Sequence, residues 1–127
     1  MAVGEVHIVT IGIGALSNAT RPLFPVPSAG DGGGIKILEA HVVAGGSIDS
    51  SLRLLKGTVA GGTFTVNGTI DSAAIGGTAA PFAANVIKSW TISTPYVSAD
   101  EWVAVIEGNA GAAHVVTLVE VSYVLGK

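Results

Sequence analysis

The composition describes one small domain with little charge. The chain has 127 residues, of which 49% are hydrophobic and 12% charged, and its mean hydropathy is +0.63. No apolar run approaches the roughly 18 residues of a membrane-spanning helix. Glu5 and His7 interrupt the apolar N-terminal stretch, so we expect no signal peptide. The excess of apolar residues therefore predicts burial against another subunit.

Charge and cysteine content exclude further classes of function. The six lysines and arginines are scattered along a chain of net charge −3, which argues against a nucleic-acid-binding surface. Cysteine is absent, so disulfides and cysteine metal sites are excluded.

The residue pattern predicts an all-β chain. Val, Ile and Thr are abundant, Met occurs once, and no window shows a sustained helical stripe. We expect a single β-sandwich or jelly roll of about seven or eight antiparallel strands spanning residues 1–127. Within it, residues 1–34 hold a first strand and an extended N-terminal arm, and residues 35–127 form the main sandwich.

The N-terminal arm is the passage from Gly14 to Gly34, which follows a first strand at 5–13. It contains Pro22, Pro25 and Pro27 and shows no strand or helix pattern. Such a long irregular passage usually lies across another surface or is mobile. The sequence leaves open whether this arm clasps its own domain or a neighbour. We expect the sandwich to fold without residues 1–27.

The middle of the chain predicts short strands separated by turns. They are expected at 35–43, 51–55, 63–66, 69–70 and 86–92. Gly57 to Gly62 is expected to turn the chain. Asn67-Gly68 is the strongest short hairpin signal in the sequence. Residues 72–84 are expected to form a loop, with Phe82 anchored inward.

The last quarter predicts two long strands, at 101–106 and 115–124, joined as a hairpin through the glycine-containing stretch 108–112. Alternation in the second strand places Val119 and Val121 on one face and Val116 and Leu118 on the other. Both faces are largely apolar, so both should be covered, one of them by another subunit.

Candidate reaction chemistry is sparse. Gly12 and Gly14 lack the third glycine and the following helix of a dinucleotide-binding turn. Asp31 alone is too few ligands for calcium, and Asp100-Glu101 is typical of solvated turn charges. His7, His41 and His114 lie on separate predicted strands, which favours ordinary sheet or interface histidines over a metal site. We therefore predict no enzyme activity, catalytic residues, cofactor or metal.

Four aromatic residues leave an alternative open. Trp90, Trp102, Tyr96 and Tyr123 could form a sugar-binding platform, although aromatic residues in a sandwich more often belong to the core.

The chain resembles the sandwich or jelly-roll decoration (cement) proteins of tailed bacteriophages in several features. These are the low charge, the Gly- and Ala-rich loops, the proline-bearing arm, and the Trp102-Val103-Ala104-Val105 strand before a valine-rich closing strand. The resemblance implies a structural protein of the virion, made in the host cytoplasm, that clamps the major capsid protein on the capsid surface as a homo-oligomer, either trimer or dimer. The alternative is a carbohydrate- or receptor-binding module of a phage fibre or tail. The expected partner contacts are Arg21, Leu23, Phe24, Val26, Val116 and Leu118.

Overall fold

All regular structure in the described residues is β-strand. The computed structural model describes residues 5–16, 20–26, 33–44, 51–76, 83, 85–108 and 114–126, with backbone alone at 14–16, 108 and 114–117. The strands are β1 Val6–Leu16, β2 Thr20–Pro25, β3 Ile35–Ala44, β4 Ser51–Ala60, β5 Thr63–Thr69, β6 Ile75–Gly76, β7 Ile87–Ser89, β8 Tyr96–Val97, β9 Trp102–Gly108 and β10 His114–Leu125.

The strands form two antiparallel sheets with the topology of a jelly roll. Sheet A has the order β1-β10-β3-β7, with β8 also on β3; sheet B has the order β2-β9-β4-β5, with β6 also on β4. The pairs β7/β8 and β5/β6 each share one edge position, so the ten strands fill eight positions. Numbered along the chain, these run 1-8-3-6 and 2-7-4-5, which is the jelly-roll order. The prediction of an all-β sandwich or jelly roll is confirmed.

Alternating side chains build the core between the sheets. Val119 and Val121 of β10 and Val42 of β3 are buried from sheet A, and Leu54 and Val105 from sheet B. Their neighbours point outward because side chains alternate along a strand. The predicted division of the last strand into two faces is confirmed for the side chains described there.

One lateral side of the sandwich, where β5/β6 face β7/β8, is joined by several bonds. Trp90 Nε1 donates to the Leu52 carbonyl at 3.0 Å. The Ile70 amide donates to the Leu54 carbonyl of sheet B at 2.8 Å, while the Ile70 carbonyl accepts from Ser93 near sheet A at 3.0 Å. We call this side the bonded seam.

A buried carboxylate completes the bonded seam where β5 ends and β6 has not begun. Asp71 Oδ1 accepts from Nη2 of Arg53 at 2.9 Å and from its Nε at 3.2 Å. Asp71 Oδ2 accepts the Leu54 amide at 3.1 Å. The side chain thus satisfies a backbone donor that has no strand partner at this break.

On the opposite lateral side, where β1 faces β2, a hydrogen bond joins the described parts of the two sheets: Arg21 Nη1 donates to the Ile13 carbonyl at 3.3 Å. Packing supplements it, because the ring of Phe24 stacks on Tyr123 with centroids 5.8 Å apart. We call this side the packed seam.

The N-terminal passage differs from its prediction. Within Gly14 to Gly34 lies the strand β2, which pairs with β9, and β1 extends to Leu16. Pro22 and Pro25 are compatible with β2 because an edge strand needs no donor on its open side. Removing residues 1–27 would delete one strand from each sheet, which argues against the expectation that the sandwich folds without them. Pro27 lies outside the described residues.

The predicted C-terminal hairpin is also wrong. Both strands exist, but β9 lies in sheet B and β10 in sheet A, and they are not paired with each other. β9 therefore ends in one sheet and β10 begins in the other, and residues 109–113 between them lie outside the described residues.

The Asn67-Gly68 turn is a third correction. β5 runs through both residues, Gly68 pairs with Lys56, and the register shifts between Lys56 and Gly57, so Asn67 is the extra residue of a bulge. The hairpin turns instead at Gly61-Gly62, where both residues have positive φ. Gly57 itself lies within β4.

Smaller differences concern the boundaries of elements. β4 continues to Ala60, well beyond the predicted end at 55, and the expected loop at 72–84 contains β6. Strand β7 covers only part of 86–92. Phe82 lies outside the described residues.

Candidate interaction surface

The outer face of sheet A is the side of that sheet turned away from the core. Among the described residues, six large apolar side chains are exposed, and five lie on this face; Val66 of β5 is the other. The exposed apolar members are Val6, Ile8, Leu38, Ile87 and Tyr96. A concentration of apolar surface on one face marks an interaction site more often than scattered exposure does.

A polar row crosses the middle of this face. The strand register places Thr10, Glu120, His41 and Ser89 side by side across all four positions of sheet A. His41 Nε2 lies 3.0 Å from Glu120 Oε1, and Thr10 Oγ1 donates to Glu120 Oε2 at 3.3 Å. Both His41 and Glu120 are part-exposed, so water weakens the interaction between their side chains.

An apolar row lies on one side of the polar row, whereas the next row on the other side is mixed and consists of Ile8, Ser122 and Glu39. On one side, Gly12, Leu118, Val43 and Ile87 are in register, and Ile87 is 63% exposed. A second apolar stretch includes Val6 and Tyr96 at the far end of the sheet.

A cation lies at that far end. Lys36 pairs with Tyr96 in the ladder, and its Nζ is 5.9 Å from the centre of the Tyr96 ring. This distance is within the range of a cation–π contact. Tyr96 therefore exposes an aromatic ring next to a positive charge.

A bulge in β3 increases the exposed area of the outer face. The register between β3 and β10 shifts between Ser122 and Tyr123, where Leu38 is the unpaired extra residue. Leu38 and Glu39 are both exposed, although strict alternation would bury one of them. Bulges of this kind commonly redirect a side chain at a functional surface.

The predicted contacts from the N-terminal passage lie in β2 and directly after it. Phe24 and Val26 are buried in the core of this chain, which corrects the expectation that they face a neighbour. Leu23 packs against the same core. Arg21 is exposed, but its guanidinium bonds to the Ile13 carbonyl. Of the two alternatives for this segment, the described part lies against its own domain.

The predicted contacts from the last strand both belong to β10. Leu118 points outward on sheet A and is part-exposed, next to Val43 in the register. Val116 pairs with Ala44 and Gly14 through the backbone, and its side chain lies outside the described part. Leu118 is thus the predicted contact that the structure places on the candidate surface.

The histidines do not form one site among the described side chains. His41 is on the outer face of sheet A, whereas His7 is on the inner side, with its ring 5.5 Å from that of Tyr123. The Nε2 atom of His7 is buried and has no hydrogen-bond partner. The side chain of His114 is not among those described. In the described residues, no group of three or more His, Asp or Glu side chains could hold a metal ion.

The predicted turn carboxylates have structural contacts. Glu101 Oε1 accepts the Ser98 amide at 2.9 Å, and its Oε2 accepts Nδ2 of Asn67 at 2.8 Å. Asp100 is exposed in this turn with a positive φ of 71°. Asp31 lies outside the described residues.

The aromatic residues are dispersed. Trp90 and Tyr123 are buried in the core. Trp102 lies on the outer face of sheet B, paired with Gly57, while Tyr96 lies on the outer face of sheet A. The rings of Trp102 and Tyr96 are therefore on opposite sides of the sandwich and do not form one platform.

Comparison with protein-family models, curated proteins and solved structures finds no match for this chain. No helix in the described part of the chain is long and apolar enough to cross a membrane.

The sequence pattern predicts the outward face of one strand of this surface, β10, but not the contribution of the other strands. Val6, Ile8 and Ile87 gave no distinct signal, because each belongs to an ordinary alternating run. Their assembly depends on the order of strands in sheet A. Alternation predicts which side chains share a face of one strand, and the register between distant strands has no comparable local signal.

Proposed function

We propose that this protein is a non-enzymatic structural protein of a virion, namely a capsid decoration (cement) protein that binds and stabilises the shell of the major capsid protein. The observation that carries the proposal is the outer face of sheet A, which concentrates exposed apolar side chains around a polar row. Its proposed setting is the capsid surface, after synthesis in the host cytoplasm.

The chemistry of this face suits attachment. Apolar side chains such as Ile87 and Leu118 gain free energy when a partner removes them from water. The polar row would orient the contact, because a displaced partner would place apolar side chains against Glu120 or His41 and strip them of water. When many copies bind one shell, their weak individual contacts add up, so each copy needs only a modest apolar patch.

The fold is compatible with this role but is not by itself evidence for it. Jelly rolls occur in viral capsid proteins and in lectins, so the strand order alone does not choose between a shell protein and a carbohydrate-binding module. The proposal includes self-association as a dimer or trimer, which would present several copies of the face to the shell.

One observation favours the alternative of a carbohydrate- or receptor-binding module of a fibre or tail. Tyr96 presents an exposed ring beside Lys36, and such a ring can stack on a sugar. Binding of the isolated protein to a glycan array, lost in Tyr96→Ala, would support this alternative. No glycan binding together with binding to shells would reject it.

The test of the main proposal is co-sedimentation with shells assembled from the major capsid protein of the same genome. The test variant is Ile87→Asp, because Ile87 is 63% exposed on the outer face of sheet A. The matched control is Val66→Asp, because Val66 is 50% exposed on β5 of sheet B. We expect the wild type and Val66→Asp to sediment with shells, and Ile87→Asp to lose at least tenfold in affinity.

Two results would overturn the proposal. One is the absence of binding between the wild-type protein and shells. The other is equal binding of both variants, which would remove the outer face of sheet A from the contact.

A further inference from the structure

Strand β1 is a long sheet edge without the usual protection. It runs for 11 residues, Val6–Leu16, and contains neither proline nor a charged residue. Its register with β10 is regular from Val6↔Val124 to Leu16↔His114, with no bulge. Among the strands that the structure describes, β1 pairs only with β10. Long, flat, uncharged edges readily accept another strand, and proteins normally block them.

The other edges are blocked, as far as the structure describes them. β2 contains Pro22 and Pro25 and has a register shift. β5 carries the bulge at Asn67. On the far edge of sheet A, β7 and β8 have only three and two residues, and β7 includes Lys88. Prolines, bulges, short strands and lysines are the known ways to prevent edge pairing.

Backbone hydrogen bonds reveal which β1 groups are open. The Trp90 amide donates to the Ala40 carbonyl at 3.0 Å, and the Ala44 amide donates to the Val86 carbonyl at 3.5 Å. Ala40 and Ala44 therefore direct their backbone groups toward the β7 side of β3. Successive residues of an antiparallel strand point to alternate neighbours. His41, between them, consequently directs its backbone groups toward β10.

The same alternation determines which backbone groups of β1 face β10. Glu120 lies opposite His41, so its backbone N–H and C=O groups point toward β3. The backbone groups of the adjacent Val121 point toward β1, where Val121 lies opposite Val9. The backbone groups of Val9 are thus used within sheet A. The even-numbered residues of β1, among them Ile8, Thr10 and Gly12, therefore point their N–H and C=O groups to the open edge.

Side-chain burial at this edge is incomplete. Val9 and Ile11 of β1 point inward but are only partly buried, whereas Val121 and Val119, directly opposite them on β10, are each 1% exposed. On the outward side, Ile8 is 64% exposed. A further strand beside β1 would therefore satisfy backbone groups and also bury apolar surface on both faces.

We propose that the occupant of this edge is β1 of a second copy of the chain, paired antiparallel about a two-fold axis. An uncharged partner strand of similar length and regular alternation fits this edge, and β1 itself has these properties. Antiparallel pairing of one strand with its own copy is self-complementary, as a two-fold contact requires. Val and Ile side chains would then meet across the axis, a favourable cross-strand combination.

The pairing would join the two copies of sheet A into one continuous sheet. Their outer faces would lie on the same side and double the surface available to a partner. This dimer specifies the self-association included in the proposed function, but it does not depend on shell binding, because it forms between copies of the isolated protein. On a shell, two linked faces would bind with higher avidity than one.

The test is the mass of the purified protein in solution, by sedimentation equilibrium over a wide concentration range. The wild type is expected to reach twice the chain mass of 12.6 kDa. Thr10→Pro removes an N–H that faces the open edge, and proline is tolerated on that side of an edge strand. We expect this variant to retain the β-sheet circular dichroism spectrum and a cooperative melt, but to remain a monomer.

The matched control is Thr10→Val, which removes the hydroxyl bonded to Glu120 but keeps the amide and the β-branched shape. It should dimerise like the wild type. Amide hydrogen exchange provides a second measurement that needs no variant. The amides of Ile8, Thr10 and Gly12 should be protected at high protein concentration and lose that protection on dilution.

The inference is overturned by a wild-type monomer at all concentrations, by an oligomer that persists in Thr10→Pro, or by free exchange of the Thr10 amide within an oligomer. If the isolated protein is monomeric but these amides become protected on shells, the occupant is a strand of the shell protein and not a second copy. Failure to bind shells would reject the proposed function while leaving the dimer intact.

Discussion

The two outer faces of the sandwich differ in how far the chain buries them. On sheet B, Leu55 and Ala104 lie side by side, point away from the core between the sheets, and are nevertheless buried. On sheet A, the corresponding outward positions include Ile8 and Ile87, both more than half exposed. Both faces are apolar, but only that of sheet B is covered where these residues lie.

This difference shows which apolar surface is available to a partner. Buried apolar residues on the outer face of sheet B already contribute to the stability of the single chain. Exposed apolar residues on sheet A contribute little to it, because their free energy gain is realised only on association. Substitutions on the two faces should therefore separate stability from binding.

The largest expected effect on stability is the difference between a charge introduced on the outer face of sheet B and one introduced on the outer face of sheet A. Leu55→Asp places a carboxylate at a position that is 4% exposed, and should lower the free energy of unfolding by at least about 4 kcal/mol. Ile87→Asp at an exposed position should change it by less than about 0.5 kcal/mol. Urea denaturation of both variants measures the difference. Equal midpoints would show that the contrast between the two faces is wrong.

A smaller effect is expected at Gly57, also on the outer face of sheet B. A Cβ at this position would overlap the Thr65 carbonyl and lie 2.7 Å from Cζ of Phe64. Gly57→Ala should therefore cost about 2–3 kcal/mol of stability, as overpacking does. Gly68→Ala is the control, because its Cβ would meet only the flexible Lys56 side chain, with Cε at 3.3 Å. Thermal denaturation that shows the same decrease in melting temperature for both variants would contradict this account.

The smallest effect is expected in the polar row of sheet A. Glu120→Gln removes the charge that faces His41, but both side chains are part-exposed. The free energy of unfolding should change by less than about 1 kcal/mol. Guanidinium denaturation measures it, and a loss of more than about 2 kcal/mol would mean that the row stabilises the fold and is not available for binding.

The sequence was informative where structure follows from adjacent residues. Alternation predicted the inward and outward faces of β10 because side chains alternate strictly along a strand. The β-branched composition predicted the fold class for the same local reason. β3 was predicted at 35–43 and runs to Ala44.

The sequence was uninformative where distant segments decide the outcome. The link between β9 and β10 looked like a hairpin, but each strand pairs better with partners far away in the chain. Asn67-Gly68 has the chemistry of a turn, yet pairing with β4 holds it in a bulge. Predicting the outer face of sheet A requires the register of β1, β10 and β3. Predicting the open edge requires knowing that β1 has no second neighbour among the described strands. Neither can be obtained from a local pattern.

The unequal seams have a consequence for how the sandwich opens. Among the described residues, hydrogen bonds of Trp90 and Ile70 tie the sheets at the bonded seam, whereas the packed seam shows a guanidinium bond from Arg21 and the contact of Phe24 with Tyr123. Local fluctuations occur first where the fewest bonds must break. We therefore expect the sheets to part from the β1–β2 side while the other side stays joined. A strand added to β1 would lie on the side that otherwise separates first, so assembly would slow the earliest step of unfolding.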